Sequence, residues 1–305
     1  MVSRFGSVVL RGAAIAWLAS VSALSCQAEE EHQPRQSSRS TATPDAKTQY
    51  AQGASRFQAG DYDDAVKMLE PLRGDASCAE GALYMLEESY RRMRKGAEAR
   101  QAFLELSSRY PDSALLHKLM GMAYDERGDF QDAIGEFKAA LQKDPALTEV
   151  RFGIGLAYLK VHDQSNADKW MRAEVERNAC HAMALYYLGN IERTSGRLNA
   201  AGDHYAKAVA CSPKYADAHI GLGIVQEARG RDREALAAFR CAVESDPQSS
   251  AAHYRLGRAL AKAGQARAAQ AEFEKARELK DAADASDAAN LGRTRKNPEA
   301  QDPIR

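Results

Sequence analysis

The chain repeats itself every 34 residues. When the sequence is aligned with itself at that shift, seven units follow one another without an insertion, and they begin at Ala46, Glu80, Ala114, Thr148, Ala182, Ala216 and Ser250. Position 20 of the unit is alanine in all seven. Position 8 is glycine in six units, and Glu87 is the exception. A fixed period of this length predicts a stack of similar supersecondary units rather than a fold around one central core.

Each unit has the pattern of two helices. Apolar residues recur at helical spacing on both sides of a break at position 15, which is glycine in five units, at Gly60, Gly128, Gly196, Gly230 and Gly264. The small residues at positions 8 and 20 remove side chains that would hold the two helices apart, and a large residue there is expected to cost about 1 to 3 kcal/mol. Position 24 supplies the bulk that packs beside them, with Leu69, Phe103, Phe137, Met171, Tyr205, Phe239 and Phe273.

This pattern resembles the tetratricopeptide repeat, a 34-residue helix–turn–helix unit. The resemblance covers residues 46–283 and is extended by tyrosines at position 11, namely Tyr90, Tyr124 and Tyr158. It implies an all-α, right-handed superhelical solenoid of seven units. The first unit departs from the pattern through polar residues at Gln49, Gln52 and Arg56, which predict a polar end cap. The fourth unit departs at His162 and Ala179, where glycine and proline are usual.

The resemblance also implies a non-enzymatic protein whose first helices line a concave groove that holds a peptide or a partner's helix. Positions 2, 5, 9, 12 and 13 are expected to face that groove. Position 5 carries five aromatic residues in seven units, in the order Tyr50, Tyr84, Lys118, Phe152, Tyr186, Ile220 and Tyr254. These rings either anchor a partner or brace neighbouring units. The candidate groove residues are Tyr84, Phe152, Tyr186, Asn190, Arg193 and Tyr254.

Charges along the groove positions alternate in sign. Arg91 and Asp125 share position 12 in successive units, and Glu126 and Lys160 share position 13. Pairing between units would prevent the single-signed field that nucleic acid requires, so no nucleic-acid partner is expected. The balance of 42 basic against 42 acidic residues agrees with this expectation. The sequence also lacks a complete Lys and Asn clamp for a terminal carboxylate, because Asn190 is the only asparagine at a groove position.

Histidines and cysteines are not expected to form a metal or cofactor site. His117, His219 and His253 share position 4 of their units, and equivalent positions lie roughly 10 Å apart, too far for a shared metal. We therefore expect no metal and no cofactor. A disulfide from Cys211 to either Cys180 or Cys241 is compatible with their spacing, which is close to the repeat period.

The N-terminal sequence predicts export. Residues 1–25 combine a positively charged start with an apolar run of about a dozen residues, as in a secretory signal. Cys26 then resembles the lipidated cysteine of bacterial lipoproteins, and ordinary cleavage to a soluble secreted chain is the alternative. Residues 26–45 read as a disordered tether, and residues 284–305 as a polar tail whose alanine-rich start could form a capping helix. The expected location is the periplasm or, through a lipid on Cys26, the membrane surface.

Two functions follow from these expectations. The first is a scaffold in the cell envelope that binds a protein or peptide partner in the concave groove. The alternative is an accessory subunit that organises an envelope enzyme, such as a polysaccharide or glycosyl-transfer system. Identification of the proteins that co-purify with this chain would distinguish the two.

Overall fold

A computed structural model describes residues 45–296, with side chains described for residues 45–286. The export signal, Cys26 and all but the last residue of the tether lie outside the described residues. Regular structure in the described part consists of fourteen α-helices and one 3-10 turn at Glu70–Leu72. The helices are α1 (Ala46–Ala59), α2 (Tyr62–Leu69), α3 (Ala79–Arg92), α4 (Gly96–Arg109), α5 (Ala114–Arg127), α6 (Phe130–Lys143), α7 (Val150–Lys160), α8 (Gln164–Arg177), α9 (Ala182–Thr194), α10 (Leu198–Cys211), α11 (Ala216–Ala228), α12 (Asp232–Ser245), α13 (Ser250–Lys262) and α14 (Ala266–Lys296).

The helices form seven antiparallel pairs, one for each 34-residue unit. The two helices of a pair pack against each other, and the second helix of each pair also packs against the first helix of the next. First helices touch one another as well, from α1 to α3, α3 to α5, α5 to α7, α9 to α11 and α11 to α13. The expected all-α repeat solenoid is therefore confirmed.

The turn between the two helices of a unit depends on a left-handed residue at position 15. The five glycines there have φ between 72° and 87°. Arg94 and His162 occupy the same position in the second and fourth units and adopt φ of 58° and 61°. Left-handed backbone costs a residue with a Cβ roughly 1 to 2 kcal/mol. The fourth unit thus keeps the turn despite the loss of its glycine.

The glycine at position 8 faces the bulky residue at position 24 of the same unit. A Cβ added to Gly189 would lie 2.6 Å from Tyr205 Cε1, and one added to Gly223 would lie 2.5 Å from Phe239 Cε1. Both rings are buried. This confirms that the small residues allow close approach of the paired helices.

Helix α14 is longer than the repeat requires. It continues from the seventh unit to Lys296 without a break, and its 31 residues compare with at most 14 in the other second helices. The described part of the 284–305 segment is therefore an extension of α14. It is not a separate capping helix.

Candidate functional site

Positions 2, 5, 9, 12 and 13 of the first helices define a surface that we call the first-helix face. The position 5 side chains differ in how far this face exposes them. Tyr254, in the last unit, is 51% exposed, whereas Phe152 is only 7% exposed. Tyr84 and Tyr186 are half-buried. The same repeat position therefore serves different purposes in different units.

Phe152 braces the fourth and fifth units. Its ring centroid lies 4.6 Å from that of His181 and 6.0 Å from that of Tyr187. His181 caps the start of α9, where its Nδ1 accepts a hydrogen bond from the backbone N–H of Ala184. The turn before α9 and α9 itself thus cover Phe152 and leave little of its ring to a partner. Of the two roles considered for the position 5 rings, bracing is the one this side chain performs.

Tyr186 lies at the centre of an aromatic cluster in the middle of the array. Its ring centroid is 5.3 Å from Tyr187, 5.3 Å from Tyr215 and 6.0 Å from Tyr205. Through Tyr187 the ring contacts reach Phe152, so the cluster joins the fourth and fifth units and ends at Tyr215, directly before α11. Tyr205 is fully buried, while Tyr186, Tyr187 and Tyr215 remain half-buried. Burial raises the pKa of both Tyr187 and Tyr215, so these rings offer neutral hydroxyl groups.

Two polar groups border the aromatic cluster on α9. The Tyr205 hydroxyl donates a 2.8 Å hydrogen bond to Asn190 Oδ1. Burial raises the pKa of Tyr205, and the nearby Arg193 guanidinium partly opposes that shift. Among the described residues the Asn190 amide NH2 makes no hydrogen bond, so it is a donor that a ligand carbonyl could use.

Met183 extends the same face toward the start of α9. It occupies position 2, one turn before Tyr186 and Tyr187, and its side chain is 47% exposed. Exposed methionine adapts its shape to different partners. Sequence reasoning marked position 2 as a groove position yet did not single out Met183, and it gave no weight to Tyr215, which precedes α11. The repeat position was the available signal for Met183.

Tyr84 and Tyr254 lie apart from the aromatic cluster. The Lys118 ammonium sits 5.2 Å from the centroid of Tyr84, so cation and ring pair across the second and third units. Tyr254 contacts Phe273, with 5.8 Å between ring centroids, in the seventh unit. The structure thus brings Phe152, Tyr186, Asn190 and Arg193 together and leaves the other two candidates near the ends of the array.

The charges on the first-helix face pair between units as the sequence predicted. Arg91 Nη1 lies 2.6 Å from Glu126 Oε1. Lys160 Nζ lies 2.7 Å from Asp125 Oδ2. These pairs are partly exposed and contribute little stability individually, but they prevent a field of one sign along the face.

The histidines of position 4 make structural contacts. His117 Nδ1 lies 2.6 Å from Glu136 Oε2, and His253 Nδ1 lies 2.6 Å from Glu272 Oε2. His219 Nε2 lies 2.9 Å from the carbonyl oxygen of Pro213. Within the described residues, no three His, Cys, Asp or Glu side chains come together in a way that could hold a metal ion.

Of the two disulfides compatible with the sequence, the structure contains the one between Cys180 and Cys211. It ties the turn before α9 to the end of α10, next to His181 and the aromatic cluster. Cys241 is an exposed free thiol within α12.

The fold and its first-helix face define a helical-repeat protein of the interaction-scaffold class. A family model for the tetratricopeptide repeat matches residues 84–148, 152–216 and 213–250, and a second one matches residues 250–282. Because these matches cover more than half of the chain, the protein belongs to the tetratricopeptide repeat family. In the described part of the chain, no helix combines the length and the apolar character needed to cross a bilayer.

Known proteins share these repeats over parts of their length. Human Superkiller complex protein 3 is 30% identical over 112 residues, which are 36% of this chain and 7% of that protein. This chain therefore spans only a small part of that relative. Among solved structures, the Cut9–Hcn1 hetero-tetramer of APC/C gives a TM-score of 0.64 at 13% identity, over 77% of this chain and 46% of that one. MamA of Desulfovibrio magneticus RS-1 gives a TM-score of 0.50 at 22% identity, and the match covers 56% of this chain and 97% of the MamA chain. At these identities the two structures share the fold.

Proposed function

We propose that this protein is a non-enzymatic scaffold that binds a peptide or helix of a partner protein along the first-helix face, centred on α9. The observation that carries the proposal is the aromatic cluster around Tyr186, which joins the fourth and fifth units and leaves Tyr186, Tyr187 and Tyr215 half-buried beside the exposed Met183. Interfaces obtain most of their binding energy from a few such aromatic anchors near their centre.

The polar groups beside the cluster favour a polypeptide ligand. Asn190 has an amide that donates no hydrogen bond to the described residues, and a peptide carbonyl would satisfy it. Arg193 gives the same stretch of α9 a positive charge. An extended peptide or a helix end offers carbonyl oxygens that can accept from Asn190, together with apolar side chains that can pack on the rings.

We further propose that the protein acts outside the cytosol, either released as a soluble chain or attached to the membrane by a lipid on Cys26. The signal-like sequence of residues 1–25 supports export. The Cys180–Cys211 disulfide is a second support, because such bonds persist mainly in oxidising compartments. Replacement of Cys26 by serine tests the attachment: membrane partitioning should be lost if the lipid is the anchor, and unchanged partitioning would exclude it.

A site-specific photo-cross-link tests where a partner binds. We would place a benzophenone side chain at position 183 on the first-helix face and, as a matched control, at the exposed position 240 on α12. After irradiation in the source cells, position 183 is expected to capture a defined protein that position 240 does not. Equal capture at both positions, or none at 183, would contradict the proposal. If the captured protein is an enzyme of envelope polysaccharide synthesis, the accessory-subunit role becomes the specific function.

A further inference from the structure

The open end of the stack lacks a cover that the third and fifth units have. Inside the array the first helix of the next unit lies over the position 24 ring, as Gly221 of α11 does over Tyr205 and Gly153 of α7 over Phe137. Both rings are buried. Phe273 is the equivalent residue of the last unit, and it remains partly exposed. The seventh unit therefore ends in a surface shaped to receive another helix.

That surface is an apolar groove with a basic edge. Its volume is about 680 Å³, and it is lined by Ser250, Ala251, Tyr254, Phe273, Ala276, Arg277 and Lys280. Arg277 and Lys280 are exposed, and neither makes an ion pair with a described side chain. An occupant should therefore be a helix with small residues and negative charges.

The extension of α14 has this composition. Residues 281–286 read Asp, Ala, Ala, Asp, Ala and Ser, and all six are exposed. Asp281 and Asp284 likewise make no ion pair with a described side chain. A helix that projects into water without packing is marginally stable, because most helical stability in proteins comes from tertiary contacts. The extension thus lacks a partner surface, just as the groove lacks an occupant.

Groove and extension lie on one stripe of the same helix. Residues 273, 277, 280 and 284 follow the spacing i, i+4, i+7 and i+11, which keeps them on one face. If two copies of α14 run antiparallel about a two-fold axis between residues 280 and 281, Arg277 faces Asp284 and Lys280 faces Asp281. Both pairs then form twice, since a two-fold interface uses the same patch on each subunit.

We propose that two copies of this chain form an antiparallel dimer in which the α14 extension of each lies in the Tyr254–Phe273 groove of the other. A second copy of α14 is a better occupant of this groove than α1, the helix at the other end of the array. Helix α1 contains no acidic residue and so cannot meet the basic edge. The dimer would leave the aromatic cluster of α9 uncovered, so it is compatible with partner binding there.

Charge reversal tests this dimer in the full-length chain by sedimentation velocity at micromolar concentrations. The unmodified chain should sediment with twice the mass of one copy. The variant R277E/K280E and the variant D281K/D284K should each be monomeric, because like charges then face each other. When the two variants are mixed, both sets of pairs become attractive again, and a heterodimer should form. Arg267→Glu on α14, which does not line the groove, is the matched control and should remain dimeric.

Each alternative occupant gives a different result. A monomeric unmodified chain would overturn the proposal, since it would mean that α14 folds back on its own groove or that another protein covers it. Dimers that persist in both charge-reversed variants would place the interface elsewhere. A mixture of variants that stays monomeric would also overturn it. Circular dichroism of each variant confirms that loss of the dimer is not loss of the fold.

Discussion

Tyr205 and Gly221 belong to successive units, and a Cβ on Gly221 would lie only 2.5 Å from Tyr205 Cε1. The same ring approaches Gly189 of its own unit, where an added Cβ would lie 2.6 Å away. Tyr205 is therefore held between two glycines on two first helices. Because its hydroxyl also bonds to Asn190, this contact couples the packing of the units to the candidate binding face.

A leucine at position 221 should separate the fifth and sixth units. Gly221→Leu forces the Tyr205 ring or α11 to move, and overpacking of this kind costs about 1 to 3 kcal/mol. We expect a lower Tm in thermal unfolding followed by circular dichroism. Gly135→Ala is the control, because an added Cβ there meets no atom within 4 Å and the residue lies within α6. Alanine should raise stability there by roughly 0.5 to 1 kcal/mol. Equal losses in the two variants would refute the packing argument.

Removal of the Tyr186 ring should affect stability and binding together. The ring contacts Tyr187, Tyr205 and Tyr215, so Tyr186→Ala should lower the free energy of unfolding, by an amount on the order of 3 kcal/mol for a large aromatic truncation. Gly189→Leu, whose added side chain meets the Tyr205 ring first, should destabilise the fold similarly. If partner affinity falls only in proportion to the unfolded fraction in both variants, Tyr186 is a brace and not an anchor.

Glu87 should make stability depend on pH. It replaces the glycine of position 8 in the second unit, and burial raises its pKa from 4.5 to about 7. The folded state thus holds a proton that the unfolded state releases between these values, so this residue lowers stability as pH rises from about 4.5 to 7. At 1.36 kcal/mol per pKa unit the loss is about 3 kcal/mol.

The comparison that isolates this residue is with Glu87→Gln. Urea unfolding at several pH values should show that the stability gap between the variant and the original chain grows in favour of glutamine as pH rises through that window. A gap that stays constant with pH would mean that Glu87 is ionised in the fold throughout. Comparison between the two chains cancels the contributions of other groups, such as His181, whose pKa is also raised.

The disulfide should contribute a large share of the stability of the fifth unit. It closes a loop of 31 residues, which in the chain-entropy treatment is worth about 3 to 4 kcal/mol. Cys180→Ser should therefore lower Tm, and a reducing agent should lower the Tm of the original chain to the same value. Cys241→Ser serves as the control, because that thiol is free and exposed, and it should change nothing.

Much of the fold follows from the period alone. The 34-residue repeat predicts the number of units, and the small residues at positions 8 and 20 predict which faces of the paired helices meet. The second glycine contact of Tyr205 could not be predicted, because it depends on the rotation between successive units. The choice of disulfide could not be predicted either, since both spacings were close to the period. The structure favours Cys180 because it lies in a turn beside the end of α10, whereas Cys241 lies within α12.

The candidate site could be predicted from the sequence only in part, because it too depends on how neighbouring units pack. Position 5 singled out Tyr186 as a candidate groove residue, and the aromatic cluster around it appears only in the structure. Whether a ring at that position is covered depends on the residues that the neighbouring unit presents. Tyr187 of the fifth unit, together with His181 directly before α9, covers Phe152, whereas Tyr254 is 51% exposed at the end of the array. The length of α14 could not be predicted from the sequence either, because an alanine-rich segment is equally compatible with a continued helix and with a separate one.

The most direct test of the central claim is the affinity of the partner captured at position 183 for a Met183→Glu variant. Because Met183 is 47% exposed, the substitution should leave Tm unchanged, so any loss of binding reports on the face itself. A charge buried against apolar partner groups should raise Kd at least roughly tenfold, equivalent to about 1.4 kcal/mol. Arg240→Glu on the second-helix side should leave Kd unchanged. An unaltered Kd for Met183→Glu would show that partners bind elsewhere and would contradict the first-helix face as the binding site.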